Sequence, residues 1–178
     1  MKLYPSALIT GLCGLLAMPA AMAADGTIDF LGRIIGPTCD INDGNPSFNV
    51  ELPTVSTTAL SVVGKSAGRQ PFQIRLTGCV PETGRVMTYF EPGPTINPRT
   101  GRLITNTGVG QAGNVEVGLL NNQQRTMDLR EGPGFQDSQV VDITAGNAYL
   151  DYFAEYMPVG SVTPGDVRTQ VRYSIVHY

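Results

Sequence analysis

The chain holds three cysteines, one histidine and one glycine triplet whose types and spacing could support chemistry. Gly108-Val109-Gly110-Gln111-Ala112-Gly113 spells a G-x-G-x-x-G pattern. A dinucleotide site needs a strand before those glycines and a helix opening within them. The residues from Val115 onward read as a strand instead, so the glycines are expected in a loop. Asp40, Asn42 and Asp43 stand beside Gly44 as in a calcium loop, but the ligand spacing and the closing glutamate are missing. His177 is the one imidazole available to a Ser–His–Asp arrangement, and it falls on the last extended run, with no convincing acid pair elsewhere. Two cysteines and one distant histidine do not complete a zinc site. Nucleophilic and metal catalysis therefore lack parts: no enzyme activity, metal or cofactor is expected.

The chemistry that remains is oxidation, and it depends on address. Lys2 supplies a positive start, Ala7 to Met18 an apolar stretch, and Ala21-Met22-Ala23 a small-x-small cleavage pattern, as in a secretory signal peptide cut after Ala23. Gly11, Gly14 and Pro19 interrupt the apolar run, which argues against a membrane anchor. Leu12 before Cys13 argues against lipid attachment there. Cys13 leaves with the signal, so Cys39 and Cys79 remain as a pair in an oxidising compartment, where a disulfide is expected. Closing a loop of about 40 residues, from Cys39 to Cys79, stabilises a fold by about 3–4 kcal/mol in the chain-entropy account. The net charge is −3, or −4 without Lys2, and no basic cluster points to nucleic acid.

The elements that position these residues follow a two-residue period. Phe48, Val50 and Leu52 alternate with polar residues until Pro53, and Phe72, Ile74 and Leu76 alternate up to Gly78-Cys79. Val86 to Phe90 forms a further run, closed by Pro92-Gly93-Pro94; Val115, Val117 and Leu119 form another, ending at Asn121-Asn122. Tyr149 to Met157 is apolar on both faces, which suits a central strand. Gln170 to Tyr178 alternates through Val171, Tyr173, Ile175 and His177. No long helical stripe exists, and 21 glycines and 13 prolines favour turns. An all-β, immunoglobulin-like sandwich of about seven strands is expected, without the tryptophan that packs on the antibody disulfide.

Several stretches resemble chaperone–usher pilins of the type 1 fimbrial kind. Gly26-Thr27-Ile28-Asp29-Phe30-Leu31-Gly32-Arg33-Ile34, followed by Cys39, is similar to the family's N-terminal extension. Pro71-Phe72-Gln73-Ile74-Arg75-Leu76-Thr77-Gly78-Cys79 resembles the segment around its second cysteine. Tyr89-Phe90-Glu91-Pro92-Gly93 and Val115-Glu116-Val117-Gly118-Leu119-Leu120 also read like fimbrial subunits, and Gly165 precedes a closing strand as in the family. One position departs: the usual penultimate aromatic is His177 here, with Tyr178 last.

The resemblance implies a sandwich lacking its last strand, completed by a donor strand from a neighbouring subunit. Residues 1–23 would be the signal peptide, 24–36 the donor extension and 37–178 the pilin domain. On the extension, Gly26, Ile28, Phe30, Gly32 and Ile34 share one face. The apolar ones would be knobs, and Gly32 would mark a close approach to the groove floor. Gly165, Val171, Tyr173, Ile175, His177 and Tyr178 would form the groove-edge strand that a chaperone holds. Leu150, Tyr152, Ala154 and Tyr156 would line the groove. The implied partners are other copies, sister pilins, a periplasmic chaperone, an outer-membrane usher and, at the fimbrial surface, host receptors. The chain would reach the cell surface through the periplasm and support adhesion. The alternatives are a minor adaptor or adhesive subunit, and a self-contained secreted sandwich whose arm folds onto its own sheet.

Overall fold

Alternating apolar residues become a ladder only where a partner strand of matching register exists, and most of these runs have one. The computed structural model describes residues 38–178 together with 29–32, 34 and 36. The expected signal peptide, and Gly26 and Ile28 of the extension, lie outside the described residues. The chain divides into Met1–Ile35 and Gly36–Tyr178. In the first unit Phe30, Leu31, Gly32 and Ile34 are exposed, Phe30 by 91% and Ile34 by 100%.

The second unit is the sandwich. Its strands are β1 Thr38–Ile41, β2 Ala67–Val80, β3 Gly84–Glu91, β4 Leu103–Ile104, β5 Gly113–Leu120, β6 Val140–Ile143, β7 Ala148–Thr163 and β8 Arg172–His177. One sheet runs β1-β2-β7-β5-β4 and the other β6-β3-β8, with antiparallel pairing throughout these ladders. The 16-residue β7 is central, paired with β2 on one side and β5 on the other. Its Leu150, Tyr152 and Ala154 face is buried, while Tyr149 and Asp151 on the opposite face are exposed, so only one of the two faces expected to be apolar is buried along this half. Ile74 pairs with Leu150 and Leu76 with Ala148 on one side; Val117 pairs with Tyr156 and Leu119 with Ala154 on the other. Those side chains meet Val86 and Phe90 from the opposite sheet in one core.

Pro71 sits within β2 opposite Phe153. It is tolerated because β1 pairs only with Leu76–Val80, so β2 is an edge at Pro71 and the missing N–H breaks no ladder. Cys39 and Cys79 form the expected disulfide, tying β1 to the end of β2.

Three features differ from the sequence reading. Phe48, Val50 and Leu52 are extended but have no ladder partner among the described residues; their alternation reports two unlike surroundings, not a pairing. Strands β1, β4 and β6 are four residues or fewer, too short for a period to show. A 3-10 turn at Thr57–Leu60, capped by Ser56, inserts buried Leu60 beneath β7 and β5.

Candidate functional site

A cleft of about 1400 Å³ opens between the two sheets. Small-molecule pockets run to roughly 300–1,000 Å³, so this space suits an extended peptide better than a compact ligand. One rim is the unpaired segment Pro46–Leu52, and the other runs from Val167 along β8 to Ile175. Phe72 and Ile74 of β2, Val117 and Leu119 of β5, and Leu103 of β4 form the apolar floor.

Chain topology explains why the cleft exists. β8 bonds to β3 along one edge, pairing Phe90 with Tyr173, Thr88 with Ile175 and Val86 with His177. Its other edge has no strand beside it among the described residues. A row of unpaired N–H and C=O groups on a free edge is a template for another strand. Upstream, Val167 to Gln170 crosses from one sheet to the other and is pinned from outside. Asn106 N donates to Arg168 O at 2.9 Å, Thr169 Oγ1 to Ile104 O at 2.7 Å and Thr95 Oγ1 to Gln170 O at 2.7 Å. The rim is thus held to β4 and its flanks, leaving the cleft side free.

The expected groove residues divide. Ala154 and Tyr156 line the cleft. Leu150 and Tyr152 do not: they are wholly buried, because that half of β7 is covered by the opposite sheet, with Phe90 edge-on to Tyr152 at 5.3 Å. The floor residues Val117 and Leu119, and the rim residues Phe48, Val50 and Leu52, were legible as alternation but not as cleft.

On the expected edge strand, Val171, Tyr173 and Ile175 point into the cleft and pack on the core. Half-buried His177 closes β8 opposite Val86. Tyr178 runs on beside β3: its N–H donates to Arg85 O at 2.9 Å, and the Arg85 guanidinium lies over its ring at 5.8 Å. Gly165 is not on the rim. It crosses the loop before β5 so closely that a Cβ would lie 2.4 Å from the Gln111 carbonyl carbon.

Two aromatic contacts cross the cleft mouth. Tyr173 Oη donates to Pro46 O at 2.6 Å, and its ring meets Phe48 edge-on at 6.5 Å. Burial raises the Tyr156 and Tyr173 phenols above their ordinary value, which keeps both protonated and able to donate. Phe90, which also faces the cleft, is held by a side chain that sequence reasoning missed. The buried Gln136 carboxamide accepts from Phe90 N at 3.0 Å and donates to Phe90 O at 2.7 Å, continuing the β3 edge where β6 ends.

The decoy motifs resolve structurally. Gly108 to Gly110 form a turn, and Gly113 starts β5 with no helix following. Asp40 Oδ1 accepts from Gly44 N at 2.6 Å, Asn42 Oδ1 accepts from Arg75 N at 2.9 Å, and Asp43 pairs with Arg75, so these groups close a turn. Among the described residues no cluster of three metal-ligating side chains occurs.

Comparison with known proteins finds relatives over most of the chain and solved structures of similar fold. The family model for FimA, type-1 fimbrial protein A, matches residues 52–178. The chain is 44% identical over 163 residues to the major fimbrial subunit SMF-1 of Stenotrophomonas maltophilia (strain K279a), covering 89% of this chain and 95% of that protein. Among solved structures, the P pilus rod subunit PapA superposes with a TM-score of 0.60 at 20% identity, covering 79% of this chain and 99% of PapA. A subunit from a chaperone–usher pilus superposes with a TM-score of 0.58 at 18% identity, covering 90% and 100%.

Proposed function

Because this chain belongs to the type-1 fimbrial protein family, we propose that its cleft is the acceptor, and its N-terminal extension the donor, in the strand exchange that joins fimbrial subunits. The protein is a structural subunit of a cell-surface fimbria, and it associates with other pilin subunits. The observation that carries the mechanism is the cleft itself: a free β8 edge, an unpaired opposite rim and an apolar floor between them.

An extended strand laid between Pro46–Leu52 and β8 would find backbone partners on the β8 edge and floor for alternate side chains. Phe30 and Ile34, exposed on the extension, have that alternation. Each would contribute about 1.5–3 kcal/mol on full burial. Gly32, in phase between them, would let the backbone lie close to the floor. Residues 24–36 would be the donor and 37–178 the acceptor domain, after removal of 1–23 in transit through the periplasm. There a chaperone would fill the cleft by strand addition until the usher exchanges it for the next subunit's extension, since an open cleft is an aggregation hazard. The role is structural and adhesive, with no catalytic step.

The test is the size distribution of the mature protein on an unheated denaturing gel, with and without residues 24–35. A ladder in single-subunit steps that disappears on deletion is the expected result. A single monomer band in both samples, from material stable without a chaperone, would overturn the exchange mechanism.

A further inference from the structure

We infer that Tyr173 and Phe48 form a latch across the cleft, closed in the unoccupied subunit and opened by an incoming strand. The inference rests on the acceptor-cleft reading above. A strand seated between two others separates them by two interstrand spacings, about 9.5 Å. No backbone hydrogen bond joins Pro46–Leu52 to β8 among the described residues. The polar link between the rims is made by a side chain, Tyr173 Oη to Pro46 O at 2.6 Å.

Pro46 has no N–H, so its carbonyl is the one backbone polar group it can offer a strand. The phenol caps that acceptor. The Tyr173 ring rests edge-on against Phe48, which tilts over Phe72 at 6.3 Å; Phe72 in turn stacks on Tyr152 at 5.6 Å. The latch is therefore seated on an aromatic column that reaches the core, while Phe48 stays 39% exposed at its outer end. Each closing contact is a neutral hydrogen bond or a ring edge, weak beside the ladder and apolar burial a full strand brings. Such a contact delays occupation without preventing it, and it shields the rim from chance pairing with a foreign strand.

The test uses the mature full-length protein at low concentration with an excess of a fluorescent peptide copying residues 24–36, so that peptide capture outruns self-assembly. Fluorescence anisotropy gives the capture rate. Tyr173→Phe keeps the ring and removes only the hydroxyl, and it is expected to capture peptide about fivefold faster, the factor set by one neutral hydrogen bond. Phe48→Leu, which removes the edge contact and keeps an apolar side chain, is expected to accelerate capture as well. A side chain that only braces the fold would lower the unfolding midpoint without raising the capture rate. Equal or slower capture by both variants, with capture by the unaltered protein intact, overturns the latch and leaves the acceptor cleft standing. Failure of every sample to capture the peptide overturns the acceptor cleft, and the latch with it.

Discussion

Replacing Gln136 by leucine tests how far one buried side chain substitutes for a strand. Its carboxamide reaches four backbone groups: it accepts from Phe90 N, and its two N–H donors serve Phe90 O, Glu131 O at 3.0 Å and, through a shared longer contact, Leu129 O at 3.3 Å. Glu131 is exposed, so water can replace that bond. Phe90 and Leu129 are buried, and their three groups would be left without the partner. An orphaned buried polar group costs about 1–3 kcal/mol, so with three such groups Gln136→Leu should destabilise the subunit by about 3–9 kcal/mol, a large share of the roughly 5–15 kcal/mol that holds a domain together. The assay is urea unfolding of the disulfide-intact mature protein followed by far-ultraviolet circular dichroism, with the midpoint and slope fitted separately. Gln136→Glu should also be destabilised at neutral pH, because a carboxylate faces carbonyl oxygens, and should recover partly in acid, when the neutral acid can donate one bond. Since Phe90 faces the cleft, capture of the arm peptide should weaken as well. A loss below about 1 kcal/mol at unchanged slope would show that Phe90 finds other partners and would refute the reasoning.

Three further outcomes are expected. Cys39→Ala, which opens the crosslink between residues 40 apart, should cost about 4 kcal/mol by chain entropy; an unchanged urea midpoint would contradict it. In Gly32→Leu the added Cβ meets nothing within 4 Å, so the unoccupied subunit should keep its unfolding midpoint while the gel ladder is lost; normal ladders would refute the close approach assigned to Gly32. Burial raises the Tyr152 phenol, with the Ser138 hydroxyl bonded at 2.8 Å pulling the other way. The folded chain therefore holds that proton more tightly than the unfolded chain. The resulting stability is complete below the unfolded value of about 10 and is lost as pH rises from there toward the folded value. Tyr152→Phe should flatten this alkaline fall in the unfolding midpoint; an identical fall in both proteins would exclude Tyr152 as its source.

Legibility in the sequence followed the length of each alternating run. β2, β5 and β8 were readable because apolar or aromatic side chains recur at every second position, and β7 because its run from Tyr149 to Met157 is long and mostly apolar. Val140–Ile143 and Leu103–Ile104 are strands only because β3 and β5 present matching edges, a fact of tertiary register that no local period encodes. Phe48, Val50 and Leu52 gave the opposite error. Their period was real, yet it marks a cleft rim without a ladder partner. The candidate site was half readable for a similar reason: all of Leu150, Tyr152, Ala154 and Tyr156 share one face of β7, and only the placement of the opposite sheet decides that the first pair is covered and the second is open. Gln136 left no signal, because a buried carboxamide in a loop looks like any surface glutamine until the backbone groups around it are known.

The crosslink at Cys39 has a mechanical meaning if the extension joins subunits end to end. Tension arriving along the extension meets the chain first at β1, a four-residue strand whose ladder starts at Thr38 opposite Val80. So short a ladder would peel under load. Cys39 lies one residue inside its loaded end, and its bond to Cys79 carries the pull directly into the 14-residue β2 and from there into the central β7. The short β1 ladder is thus bypassed as a force-bearing element. Single fibres stretched with and without reductant should show this as extra length released at low force only after reduction; identical extension traces would mean that β1 bears the load unaided.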